Sequence, residues 1–259
     1  MPSYPLSRIS SVNWLIFDVD GVLMDASMSY DLATKYTVEN VLRDFGRDIK
    51  LDLEILRNLR KRGSFGDDYK LSEALILSFM DDDPIRLIED FPNGGKVDWF
   101  REKVKVELDV AYIKDLFDTY YFGEIYERRL FDFDGLWKNE KSLVDVDLLR
   151  KISKFKKLGV VTGRTEFELK LAFEIMGYEF ENFITREKGL KPDPHLLDEI
   201  VKGENGVYVG DTVNDEIFIE NYRKKYGRDF EFVMVGRDFK DVNELLILLL
   251  DELTRRDER

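Results

Sequence analysis

The stretch Val12-Asn13-Trp14-Leu15-Ile16-Phe17-Asp18-Val19-Asp20-Gly21-Val22-Leu23 sets the frame for the whole chain. Its first half, Val12–Phe17, is a short apolar run that stops at two acids, the texture of a strand buried on both faces. Residues two apart on an extended chain share a side, so Asp18 and Asp20 can face one small volume. Gly21 permits a sharp backbone turn away from the strand. On its own, Asp-x-Asp can equally be two acids that end a strand and start a turn.

Four further β-rich runs lie far downstream, at Gly159–Thr162, Phe183–Thr185, Val207–Gly210 and Phe230–Gly236. Between and after them fall charged stretches of helical period: Phe167–Met176, Pro194–Lys202, Glu216–Tyr226 and Val242–Thr254. Strand and helix in alternation, with buried-looking strands, predict an α/β fold: a parallel sheet flanked by helices. Val12–Phe17 belongs to that sheet as a central strand. The intervening residues have helical periodicity instead, as in Leu32/Tyr36/Val41/Phe45, Leu71/Leu75/Phe79 and Val97/Phe100/Val104/Leu108. Gly63, Gly66, Pro84 and Pro92–Gly95 punctuate them. The expected organisation is a core of residues 1–25 and 142–259, interrupted by a helical domain at 26–141. The aromatic, charged segment Tyr120–Glu140 leads the chain back.

Composition removes several classes. The 259 residues carry 40 Lys+Arg against 53 Asp+Glu, a net charge of −13. That surplus argues against a nucleic-acid binder, which needs clustered basic residues. There is no Cys and a single His, so thiolate metal sites, disulfides, thiol nucleophiles and multi-histidine centres are excluded within one chain. No apolar run approaches the roughly 18 residues of a membrane helix. The opening MPSYPLSRISS lacks the pattern of a signal peptide. A soluble, cytoplasmic protein is expected. Abundant charges of both signs with no Gln and no Cys suggest a hot-growing source.

Three more segments fall at predicted strand ends, the edge where open α/β sheets hold ligands. Val160-Val161-Thr162-Gly163-Arg164-Thr165 offers a hydroxyl and backbone N–H groups just before a helix, suited to a phosphate. Alone it is an ordinary strand-to-helix loop with Thr165 as N-cap. Lys191-Pro192-Asp193-Pro194 sets an ammonium in a rigid context that nearby Lys188 lacks. Alone it is a surface lysine. Gly210-Asp211-Thr212-Val213-Asn214-Asp215 puts two acids four apart at a helix start, where acids are also expected for dipole reasons. Together, Asp18, Asp20, Asp211 and Asp215 supply hard oxygen ligands for Mg²⁺, with Thr162 and Lys191 as donors for phosphate oxygens.

These four segments, in this order, resemble the motifs of the haloacid dehalogenase-like (HAD) hydrolase superfamily. Asp18-Val19-Asp20-Gly21-Val22-Leu23 is similar to the first, Thr162 to the second, Lys191 to the third and Gly210-Asp211-Thr212-x-x-Asp215 to the fourth. The helical insert matches the cap of the subgroup that carries it between motifs one and two. The text around Asp25–Tyr30 and Thr162-Gly163-Arg164 is similar to a mostly archaeal phosphatase group. The resemblance implies a Rossmann-like core under a helical cap. It implies Asp18 as nucleophile forming an aspartyl-phosphate and Asp20 as general acid and base. Mg²⁺ would be held by Asp18, the Asp20 backbone carbonyl and Asp211, with Asp215 acting directly or through water. Thr162, Gly163 and Lys191 would bind the phosphoryl group.

Asp20 is missing in the superfamily's dehalogenases and phosphonatases, Asp-Lys-Thr marks its ion pumps, and adjacent Glu-Asp marks its mutases. The expected reaction is therefore hydrolysis of a small phosphorylated metabolite. The alternatives are a phosphotransferase or phosphomutase using the same intermediate, or a non-catalytic phospholigand-binding protein. Around the cap, Lys61, Arg62, Ser64 and Tyr69 are read as solvated surface before substrate contacts, as is Arg164 before a second anion contact. His195 has no expected role. Asp81–Asp83 before Pro84 read as a helix-terminating turn. The final helix, Asp241–Thr254, is expected to pack on the sheet, in a monomer or homodimer without nucleic-acid or membrane partners.

Overall fold

A computed structural model describes residues 6–257. The expectation of no signal peptide rests on the opening stretch MPSYPLSRISS, of which the first five residues lie outside the described ones. In chain order the elements are α1 (Leu6–Ser11), β1 (Trp14–Phe17), β2 (Met24–Asp25), α2 (Ser27–Asp44), α3 (Leu53–Arg62), α4 (Asp68–Met80), α5 (Pro84–Glu89), α6 (Val97–Lys103) and α7 (Val110–Phe122). After two short 3₁₀ turns come β3 (Lys141–Ser142), α8 (Val146–Ile152), β4 (Lys157–Val161), α9 (Glu166–Met176), β5 (Phe183–Ile184), α10 (His195–Val201), β6 (Gly206–Gly210), α11 (Val213–Tyr226), β7 (Phe230–Met234) and α12 (Val242–Asp257). They form two compact units: the residues up to Ala26 with those from Glu140 onward, and Ser27–Asn139 between them.

The first unit is built on a five-stranded sheet of order β5-β4-β1-β6-β7. All four pairings are parallel. The first apolar run is indeed the central strand, and alternation along it assigns side chains to two faces. Leu15 and Phe17 join Val160, Val207, Val209 and Val233 in a core closed by residues of α8, α9 and α12. Trp14 and Ile16 join Tyr208, Phe230 and Phe232 on the other face, against α10 and α11. The final helix packs as expected, through Val242, Leu245, Leu246, Leu249 and Leu253. Strand register aligns the ends of the three central strands: Phe17 pairs with Val160 on one side and Val209 on the other. Asp18, Thr162 and Asp211 therefore emerge at one edge.

Some boundaries differ from the sequence reading, for local reasons. The strand predicted from Phe230 to Gly236 ends at Met234, because the N–H groups of Arg237 and Asp238 fold back onto the Met234 carbonyl and Gly236 turns with φ 83°. The structure adds a two-stranded antiparallel ladder that the sequence does not announce: Met24 faces Ser142 and Asp25 faces Lys141. Two-residue strands carry no periodicity to read.

The helical unit has its own core, in which Val38, Leu42, Leu56, Leu59, Leu75 and Phe100 are buried. Aromatic rings supply much of it: Phe91 stacks on Phe65 with centroids 5.6 Å apart and on Phe100 at 4.7 Å. Buried Asp31 anchors α2 to α3 through Arg57, at 2.6 Å, and Arg60. Arg62, solvated on the sequence reading, instead donates to the carbonyls of Ile88, Glu89 and Phe91. Tyr69 likewise is occupied, donating to buried Asp118 at 2.7 Å. Lys61 and Ser64 are not buried. The triple acid ends a helix as expected: Asp81 follows α4, and Asp83 caps α5 with Pro84 in its first turn.

Candidate functional site

The loop after β1 folds into a single tight turn around one carbonyl. The N–H groups of Val22, Leu23 and Met24 all converge on the oxygen of Val19. Gly21 stands in this turn at φ 77°, a region that L side chains rarely adopt. A Cβ at that position would also overlap the Asp211 carboxylate. This glycine thus lets the loop after β1 touch the loop after β6. Asp18 is buried, and its Oδ1 accepts from the Val19 N–H at 2.8 Å.

Lys191 reaches the same place from the loop before α10. Its ammonium lies 2.8 Å from Asp18 Oδ2, 2.6 Å from Asp215 Oδ1 and 3.0 Å from the Tyr208 hydroxyl. Tyr208 carries no sequence signal of a site, because a tyrosine in a buried strand reads as core. It is core, and its hydroxyl also donates to the Val161 carbonyl at 3.0 Å, tying β6 to β4 beneath the cluster. Lys188, by contrast, is exposed.

Asp215 is fully buried at the third position of α11 and completes a reciprocal cap with Thr212. The Asp215 Oδ2 accepts from the Thr212 hydroxyl at 2.6 Å and from its N–H at 3.1 Å. Gly210 leaves no room for a side chain beside it: a Cβ would meet the Asp215 Cβ at 2.6 Å. The four-residue spacing from Asp211 to Asp215 is therefore a cap geometry, and Asp211 itself precedes the helix.

Electrostatics distinguish the three acids. Burial pushes the Asp18 carboxyl up to about 7, opposed by Lys191 and reinforced by Asp215 and Asp20. Burial and the neighbouring Asp215 charge raise Asp211 to about 6. Burial acts on Asp215 too, but Lys191 and the Thr212 donors outweigh it and hold the carboxyl below its usual range. Burial would lower the Lys191 ammonium, yet Asp18, Tyr208 and Asp215 overcome it and raise its pKa well above the ordinary value.

This donor set fits a hard divalent cation. Asp18, Asp211 and Asp215 each offer an oxygen within 4.8 Å of the others. The Asp211 Oδ1 is buried and has no hydrogen-bond partner, a costly state for a carboxylate that a cation would relieve. All donors are oxygens, as Mg²⁺ and Ca²⁺ prefer.

Thr162 follows β4 and is buried, and its hydroxyl accepts from the Arg164 N–H at 3.2 Å. Gly163 faces open space. Arg164 overturns its reading as solvated surface. It is 2% exposed and donates to Asp20 Oδ1 from Nη2 at 2.6 Å and from Nε at 3.1 Å. His195, at the start of α10, is exposed and lies 3.4 Å from Glu199, outside the cluster.

A parallel five-stranded sheet whose strand ends gather two acids of an Asp-x-Asp turn, a largely enclosed lysine and a capped acid pair defines a hydrolase of one family. The sequence matches the haloacid dehalogenase-like hydrolases over residues 12–222, and the chain belongs to that family. It is 55% identical to the phosphatase Tt82 of Thermococcus thioreducens, over 92% of this chain and 99% of that one, with a TM-score of 0.89. A HAD-superfamily hydrolase of subfamily IA from Geobacter sulfurreducens has the same fold at 18% identity, with a TM-score of 0.51 over 93% of this chain and 96% of that one. CbbY of Rhodobacter sphaeroides, solved with phosphate, also shares the fold at 15% identity, with a TM-score of 0.50 over 86% and 87%. No curated protein matches the chain in sequence. Among the described residues no helix is long and apolar enough to cross a membrane.

Proposed function

We propose that the protein is a cytoplasmic, Mg²⁺-dependent phosphatase that hydrolyses a small phosphorylated metabolite through an aspartyl-phosphate on Asp18. The observation that carries this reading is the contact of a largely enclosed lysine ammonium, 2.8 Å from Asp18 Oδ2, beside the partnerless Asp211 oxygen. A fixed positive charge at the nucleophile offsets the repulsion between a carboxylate and an incoming phosphate dianion. The 55% identity to a protein named as a phosphatase supports the same reaction.

In this reading an Asp18 oxygen attacks phosphorus and the bond from phosphorus to the ester oxygen breaks. Asp20, two residues on, gives its proton to the leaving alcohol. Asp20 then takes a proton from water, whose oxygen attacks phosphorus, and the bond to Asp18 breaks to release phosphate. Thr162, the Gly163 N–H and Lys191 hold the phosphoryl oxygens. When bound to Asp18, Asp211 and the Asp20 carbonyl, Mg²⁺ would neutralise charge on a phosphoryl oxygen. Both Asp215 oxygens already accept from Lys191 and Thr212, which favours an action of Asp215 through water. The helical unit Ser27–Asn139 takes the part of a cap, on the strength of its place between the first two strands of the five-stranded sheet in sequence. A cap that excludes water suits small substrates.

A screen of phosphorylated metabolites with Mg²⁺ tests this, with Asp18→Asn as control. Wild type should release phosphate from at least one compound, EDTA should abolish the release, and Asp18→Asn should lose it by roughly 1000-fold or more. Equal release by wild type and Asp18→Asn would sink the mechanism.

A further inference from the structure

We infer that Arg164, backed by Glu140, is a positioning residue that fixes the Asp20 carboxylate; this rests on the role given to Asp20 above. Asp20 is less enclosed than Asp18 and Asp215, which are buried. Its side chain is 42% exposed, and the residue after it is a glycine in a turn. A general acid and base must nonetheless be held close to its working geometry, since a small misplacement costs heavily in rate.

The Arg164 fork provides that hold. Its Nε lies 3.1 and 3.3 Å from the two Asp20 oxygens and its Nη2 lies 2.6 Å from Oδ1, so the plane of the carboxylate as well as its position is set. The guanidinium is itself immobilised on all sides. Its Nη2 also donates to Glu140 Oε2 at 2.8 Å, where both side chains are 1% exposed. Its Nη1 donates to the Glu168 carbonyl at 3.4 Å, and its backbone carbonyl accepts from the Arg186 N–H at 3.0 Å. One residue thereby braces two parts of the site, through its N–H to the Thr162 hydroxyl and through its side chain to Asp20.

Burial of this arginine is costly unless it is paired, and Glu140 supplies the buried counter-charge. Asp20 need not balance it alone and keeps an exposed side for a leaving group. Lysine could not replace the fork, because a point charge fixes a distance but not a plane.

The role has a kinetic signature that a merely structural residue lacks. A leaving group of low basicity needs little protonation, so loss of acid catalysis falls hardest on basic leaving groups. The test measures kcat/KM for Arg164→Ala, Arg164→Lys and Glu140→Gln on phenyl phosphate and 4-nitrophenyl phosphate. Arg164→Ala should lose about 10- to 100-fold on phenyl phosphate and clearly less on the nitrophenyl ester. Arg164→Lys should recover only part of the loss, and Glu140→Gln should repeat the pattern more weakly. In an Asp20→Asn background, Arg164→Ala should cost no more than about twofold further, since it acts through Asp20. The same cycle is run on whichever metabolite the phosphate-release screen identifies. Equal losses on both esters, or additive losses with Asp20→Asn, overturn the positioning role while leaving the phosphatase reading intact. Wild type inactive on every phosphate ester removes both. If Arg164→Ala does not fold, Arg164→Lys and Glu140→Gln carry the same comparison.

Discussion

At the scale of single residues, the site turns on how one ammonium is shared. Lys191 serves Asp18, Asp215 and Tyr208 at once, at 10% side-chain exposure. Removing it leaves two buried carboxylates facing each other without a counter-charge. Lys191→Met should destabilise the fold by about 3–5 kcal/mol, the cost of breaking a buried pair from one side. Urea denaturation measures this, and a midpoint unchanged from wild type would contradict the geometry. Mg²⁺ should recover part of the loss, because a cation at the Asp18 and Asp211 oxygens replaces the missing charge. Residue types and spacing make Asp18, Asp20, Thr162, Lys191, Asp211 and Asp215 readable as a set before any coordinates. Arg164 defeats that reading for a physical reason. A sequence displays its charge, but burial depends on a register that brings β4 beside β1 and sets its side chain against Asp20. Tyr208 escapes notice because its ring satisfies a core position, and only its hydroxyl serves the site.

Among elements, the caps explain why each site loop ends where it does. Thr165 and Glu168 form a reciprocal capping box at the start of α9, and Thr212 and Asp215 form another at α11. Both boxes adjoin residues of the site, so each helix start is fixed together with the loop before it. Thr165→Ala should lower stability by about 1 kcal/mol, with Thr165→Ser retaining most of it. Equal midpoints for all three proteins in chemical denaturation would contradict this reading. The strands are legible because buried parallel strands are continuous apolar runs, and the long helices because their period repeats over several turns. Short elements carry too few residues for either signal. α1, α8 and the β2–β3 ladder owe their existence to what they pack or pair against. In the helical unit, Arg62 and Tyr69 show the same limit as Arg164, since backbone carbonyls and a buried acid claim groups that composition assigns to solvent.

For the whole molecule, the ladder between β2 and β3 has a larger meaning than its length suggests. Met24 pairs with Ser142, Asp25 with Lys141, and the Leu143 N–H reaches the Leu23 carbonyl at 2.8 Å. The chain leaves the α/β unit and returns to it on adjacent antiparallel strands, so the helical unit occupies the place of a hairpin loop. Replacing residues 27–139 by an Asn-Gly turn should leave a soluble protein that unfolds cooperatively, with a circular-dichroism spectrum of mixed α/β content. A molten or aggregated product would show that the α/β unit depends on its insert. Loop-closure cost grows only slowly with length, about 0.6 kcal/mol per doubling. The geometric demand on an insert here is accordingly small: its two termini must lie about one strand spacing apart, about 4.8 Å. Lineages of this fold could exchange the inserted module wholesale while the strand ends, and the acids they carry, stay under separate selection.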